Sequence, residues 1–136
     1  MEVSAKLLKG TQFEITARDH RVICDQPRDN GGEDAGLSPP ELLLASIAGC
    51  AGYYAAQYLQ TRGLRSDHLG IRVTAEKATQ PARVGQFRID VSIPDLDAQH
   101  EAGVLRAVKA CLIHNTLLHA PSIETVVHTT AGALAR

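Results

Sequence analysis

Residues 38–50 read Ser-Pro-Pro-Glu-Leu-Leu-Leu-Ala-Ser-Ile-Ala-Gly-Cys, and this order of residue types marks the start of a long helix. Ser38 suits the cap because its side chain serves first-turn amides that have no intrahelical acceptor. Pro39 and Pro40 are tolerated in that same turn. From Leu42 to Thr61 no side chain is charged, and the run closes at Arg62-Gly63, a cation followed by a residue free to reverse the backbone. A surface helix keeps a polar face. This one has none, which predicts a long central helix buried on every side. Its length suits a membrane span, but Ser46, Gln57, Gln60 and all three tyrosines fit hydrocarbon poorly. One small sheet covers only one side of such a helix. The same helix of a second subunit is the economical cover for the other, and the small residues at 45, 48, 49, 51, 52, 55 and 56 permit close approach.

Outward from the helix, the pattern changes to alternation. Val3, Ala5 and Leu7 alternate with polar neighbours, Phe13 and Ile15 do the same, and a short strand is expected from His20 to Cys24. The loop that follows, 25–40, is dense in Gly, Pro, Asn and Asp. After the helix, Ile71, Val73 and Ala75, and then Phe87, Ile89, Val91 and Ile93, predict two long antiparallel strands joined through residues 79–82. Asp97 is a cap for a second helix carrying Leu105, Val108 and Leu112 at helical spacing, and Ile123, Thr125 and Val127 predict a last strand. The order βββ-α-ββ-α-β over residues 1–136 is that of a single α+β domain.

Composition narrows the function classes. With 136 residues, 44% hydrophobic and 21% charged, the chain has the balance of a globular domain able to bury a core. A net charge of -1 favours neither nucleic acid nor anionic lipid. The N-terminal MEVSAKLLKG holds no apolar run of signal-peptide length, so the expected location is the cytoplasm. Three cysteines, Cys24, Cys50 and Cys111, make no secreted disulfide scaffold. They are free thiols, or two of them form a transient catalytic pair. No Cys or His pair has the tight spacing of a zinc site, and there is no glycine-rich phosphate loop or Gly-x-Ser-x-Gly elbow.

The stretch 38–50 resembles the signature before the first cysteine of the OsmC/Ohr family, the osmotically induced and organic-hydroperoxide-resistance proteins. The segment Ala110-Cys111-Leu112-Ile113-His114-Asn115 resembles that family's second signature, with Leu112 where proline is usual. The resemblance implies an intertwined homodimer in which antiparallel sheets wrap central helices. It also implies a thiol peroxidase in which Cys50 attacks the peroxide and Cys111 resolves the product to a disulfide. No cofactor is implied beyond an external dithiol of lipoyl or thioredoxin type. The family's arginine matches Arg18 best, with Arg21 as the fallback. Its acidic partner corresponds to Glu41, shifted by Pro40 to one residue later. Glu41 and Cys50 are nine residues apart, half a turn out of phase and about 13 Å along the axis, so they share no site within one chain. Glu41 then acts from elsewhere in the dimer, or serves as a helix N-terminal acid, with Glu33 or Asp34 in its place. Cys24 reads as a packing residue. His114, three residues past Cys111, reads as a surface polar residue or as a neighbour that tunes the thiol. The alternative functions are a redox-sensing or small-ligand-binding dimer, and a dimer whose cysteines only fill a core.

Overall fold

The computed structural model describes residues 1–129. Its first half is β1 (Ser4–Lys9), β2 (Gln12–Ala17), β3 (His20–Cys24) and the long helix α1 (Pro39–Gln60). Its second half is β4 (Gly70–Thr79), β5 (Ala82–Ser92), α2 (Glu101–Lys109) and α3 (Leu112–Leu118).

Helix α1 begins where the Ser-Pro-Pro-Glu signal places it. The amide and hydroxyl of Ser38 both donate to Glu41 Oε2, at 2.8 and 2.7 Å, the glutamate half of a capping box. At the other end Gly63 takes φ 65°, and the amides of Gly63 and Leu64 return to the carbonyls of Gln60 and Leu59. Within this chain the helix is buried along one stripe, Ile47, Ala51, Ala55 and Leu59, spaced at one turn. Residues of that stripe form the core with Val104 and Val108 of α2, flanked by Ile71 of β4 and by Ile89 and Val91 of β5. The opposite face, with Ser46, Gly49, Tyr53 and Gln57, is exposed. Burial on every side is therefore not completed by one chain.

The sheets follow the alternation. In the β4–β5 hairpin Ile71 pairs with Val91 and Val73 with Ile89, half-buried on the face toward the core. Arg72 pairs with Asp90, and Thr74 with Arg88, on the other face. The second sheet has the order β1-β2-β3. Its register puts Ala5, Ile15 and Val22, and likewise Leu7, Phe13 and Cys24, side by side on one face. Leu7, Phe13 and Val22 of that face are exposed.

Two expectations need correction. The second helix does not run from Asp97 through Leu112. Asp97 caps a 3-10 turn over Ala98–His100, α2 ends at Lys109, and Leu112 belongs to α3. Its buried face is Gly103, Val104 and Val108, while Leu105 and Leu112 are exposed. Gly103 decides the face, because its backbone lies so close to the Tyr58 phenol that a Cβ there would overlap it. The last strand, Ile123 to Val127, is not formed among the described residues, and Ile123, Val126 and Val127 are exposed. Alternation alone makes no strand without an edge to supply its ladder of hydrogen bonds.

The glycine-rich loop between β3 and α1 is ordered by one carboxylate. Asp25 is 1% exposed. It accepts from the Thr11 hydroxyl at 2.6 Å and from the amides of Gln26, Glu33 and Ala35 at 2.8, 3.1 and 3.1 Å. Those donors, the Thr11 hydroxyl foremost, hold its carboxyl down at about 2. Its folded value lies below the ordinary 3.8, so its contribution to stability is complete above that value and is lost as pH falls toward about 2. Asp25→Asn is expected to lower the melting temperature at pH 7 and to flatten the loss of stability between about pH 4 and 2. Thermal melts across that range check it, and identical acid limbs for the two proteins would contradict this role.

Candidate functional site

The chain breaks between α2 and α3 at a cysteine. Ala110 closes α2, and Cys111 turns extended, with φ −66° and ψ 145°, before α3 starts. Its sulfur accepts from the His114 amide at 3.3 Å and so serves as the cap of α3. The side-chain amide of Asn115 ties back to the Ala110 carbonyl at 3.3 Å. Cys111 is fully buried, and α3 packs on α1. That packing sets Cys111 against Cys50, which is half-buried on α1 one turn beyond Ile47.

Burial pushes the Cys111 thiol up, because a thiolate loses its hydration there. The His114 amide pulls the other way, and the neighbouring Cys50 thiol raises it again. No cation is among these influences. All three cysteines are free thiols, and Cys24 is buried at the end of β3, as a packing residue would be.

A cavity of about 240 Å³ is lined by Ile47, Phe87, Ile89, His114, Leu117 and Leu118 among others, and neither Cys50 nor Cys111 is in its wall. A larger groove of about 560 Å³ runs between β5 and α2, and His114 borders it as well. Among the described residues no group of three His, Cys, Asp or Glu side chains is arranged to hold a metal ion.

The other sequence-predicted residues lie elsewhere. Arg18 is exposed at the β2–β3 turn, with φ 54°, on a sheet tied to the start of α1 by the Cys24–Leu37 bridge. Arg21 is paired with Glu14 at 3.8 Å. Glu41 is occupied by Ser38, whose two donors draw its carboxyl below the usual range. Glu33 accepts from Lys9 and Gln12 at 2.8 and 2.9 Å, and Asp34 is exposed. One chain thus brings Cys50 to Cys111, but brings neither Arg18 nor Glu41 to them.

The family profile of OsmC-like proteins matches residues 31–126, which span α1, the β4–β5 hairpin and both cysteines. The chain belongs to the OsmC-like protein family. No curated protein sequence matches it. Solved structures share the OsmC-like fold. A candidate osmotic stress induced and detoxification response protein of Psychrobacter arcticus 273-4 has a TM-score of 0.77 at 20% identity, over 84% of this chain and 85% of that one. An OsmC-like protein of Mycoplasma pneumoniae has a TM-score of 0.70 at 19% identity, over 88% and 87%. The organic hydroperoxide resistance protein OsmC of Legionella pneumophila has a TM-score of 0.61 at 16% identity, over 85% and 87%.

Sequence reasoning missed two polar groups of this OsmC-like fold. Asp25 was hidden in a run that reads as solvated loop; the signal was an acid placed directly at a strand end before glycine-rich chain. The Tyr58 hydroxyl meets His100 Nδ1 at 3.2 Å, with the Arg62 guanidinium 3.8 Å over the tyrosine ring. These groups are forty-two residues apart in sequence, and no local pattern marks the pair.

The difference in burial sets an order of reactivity, since attack on an alkylating agent needs an accessible thiolate. Iodoacetamide at pH 7.5 is expected to label Cys50 well before Cys111 or Cys24, with Cys111 catching up only in alkaline solution. Peptide mapping over time checks this order. Cys111 labelling first would contradict it.

Proposed function

We propose that this protein is a homodimeric thiol peroxidase that reduces organic hydroperoxides. The observation that carries the reading is the Cys50–Cys111 contact, a half-buried thiol beside a fully buried one, with an apolar cavity past Ile47, one helical turn before Cys50. The Cys50 thiolate attacks the terminal peroxide oxygen, an S–O bond forms, and the O–O bond breaks. The alcohol leaves and Cys50 is a sulfenic acid. Cys111 then attacks the Cys50 sulfur, water leaves, and a disulfide joins the pair. An external dithiol of lipoyl or thioredoxin type reduces that disulfide by exchange. The apolar lining favours an alkyl or aryl hydroperoxide over hydrogen peroxide.

The second subunit is supported by what one chain leaves uncovered. Leu7, Phe13 and Val22 on the first sheet, Leu43 and Tyr53 on α1, and Ile123 and Val127 near the chain's end are all exposed. These are more large apolar groups than a monomer of this size presents without a use. A second copy docking on α1 covers that face and carries its own β2–β3 turn, with Arg18, toward the thiols. A guanidinium there offsets the cost of a buried thiolate. Glu41 contributes from the same copy or remains a capping residue.

A redox-sensing dimer without efficient turnover is the second reading. It is favoured by the buried, upward-shifted Cys111 thiol with no cation acting on it. Turnover separates the two. With an excess dithiol, the protein is expected to consume cumene hydroperoxide continuously, Cys50→Ser to consume none, and Cys111→Ser to accumulate a sulfenic acid that dimedone traps. Arg18→Ala is expected to slow Cys50 oxidation by about a hundredfold. Sedimentation is expected to give twice 14.6 kDa. Oxidation that stops after one equivalent even with dithiol present would favour the sensor, and peroxide consumption by Cys50→Ser would overturn both.

A further inference from the structure

A disulfide opens at the sulfur that an incoming thiolate reaches, and the sulfur on the far side of the bond leaves. The two sulfurs of this chain are unequal in that respect. Cys50 is half-buried on α1, whereas Cys111 has no exposed surface. Cys111 is also held at each of its polar atoms. Its amide donates to the Val108 carbonyl at 3.2 Å, its carbonyl accepts from the Asn115 amide at 3.0 Å, and its sulfur accepts from the His114 amide at 3.3 Å. The Asn115 side chain donates to the Ala110 carbonyl at 3.3 Å as well. These bonds tie Cys111 to the end of α2 and to the first turn of α3, and a residue held so does not swing out to meet a reagent.

We propose that the external dithiol enters at Cys50, forming a mixed disulfide there and expelling Cys111 as the leaving thiolate. A bond between these sulfurs runs from the half-buried position inward, so a reagent arriving from outside meets Cys50 first, with Cys111 behind it. Approach to Cys111 would have to pass through the packing that leaves it no exposed surface. The steps balance. A thiolate of the dithiol attacks the Cys50 sulfur, a new S–S bond forms, the Cys50–Cys111 bond breaks, and the electron pair goes to the Cys111 sulfur. The second thiol of the reductant gives its proton, through water, to Cys111 and attacks the sulfur of the first. Two electrons have then passed from the dithiol to the protein, and Cys50 is released as the thiolate that attacks the next peroxide. Burial works against Cys111 here, because it raises the thiol and a more basic thiolate leaves more slowly. The amides of His114 and Ile113 offset part of that cost. Access is the larger effect, since a sulfur without exposed surface is not reached at all. Cys50 thus carries every covalent exchange with the outside, and Cys111 bonds only to Cys50.

This inference rests on the redox pair of the peroxidase reading, and preparing the disulfide in two ways separates them. One sample is oxidised with one equivalent of cumene hydroperoxide, the other with diamide, which joins thiols without peroxide chemistry. Each is mixed with excess 2-mercaptoethanol, a monothiol with no second sulfur to complete the release. Samples are quenched in acid at short times and mapped by peptide mass spectrometry. The adduct is expected on Cys50 in at least about tenfold excess over Cys111, with Cys111 recovered as a free thiol. In guanidinium, where burial is gone, comparable adducts are expected on both cysteines. An adduct mainly on Cys111, or an even split in the native protein, would overturn the proposal. So would a Cys50 bias that survives in guanidinium, since the fold would not be its source. Absence of the disulfide with both oxidants overturns it too, because there is no bond to open. If diamide forms the disulfide and cumene hydroperoxide does not, the peroxidase reading fails, while the position of the adduct still decides where thiols enter.

Discussion

An uncharged helix has to be kept from water along its whole circumference, and α1 imposes that requirement on everything else in the fold. The chain answers it on one side only. The stripe Ile47, Ala51, Ala55 and Leu59 sinks against α2 and the β4–β5 hairpin, and the small side chains let backbones come close. The same packing sets the α2–α3 break over the middle of α1. Cys111 falls at that break, so the contact that buries the helix also delivers one sulfur to another. The exposed face of α1 and the apolar face of the first sheet then make the same demand for a second surface.

Burial gives the two thiols unequal parts. An apolar setting opposes a thiolate, and Cys111 is held in that setting with the backbone amides of His114 and Ile113 in partial compensation. It is well kept as a protonated reserve and poorly placed for first attack. Cys50 is half-exposed, so peroxide and an outside cation both have access to it.

The parts of the fold legible in the sequence were those with unbroken periodicity. The Ser-Pro-Pro-Glu start, the charge-free run and the Gly63 stop define α1, and strict alternation defines β4 and β5. Leu105, Val108 and Leu112 satisfy a helical period, but the chain buries only Val108 of the three and breaks the helix before Leu112. The close approach of Gly103 to Tyr58, a long-range contact, turns a different face inward. Ile123 to Val127 alternate as a strand does, yet pairing depends on an available edge, which is not a local property. The cysteine pair was legible through its two flanking signatures, whereas the chain holds Arg18 at an exposed turn and Glu41 in its own capping box, away from the thiols. Asp25 was missed because a buried carboxylate and a solvated one look alike in a loop.

The central claim is that Cys50 and Cys111 act as one redox pair. Its most direct test is to reduce the protein, add one equivalent of cumene hydroperoxide, and map the disulfides by peptide mass spectrometry under denaturing, thiol-blocked conditions. The account predicts rapid loss of two thiols per chain and a Cys50–Cys111 link, with Cys24 still alkylatable. Survival of all three thiols, or a link that includes Cys24 and leaves Cys111 free, would contradict it.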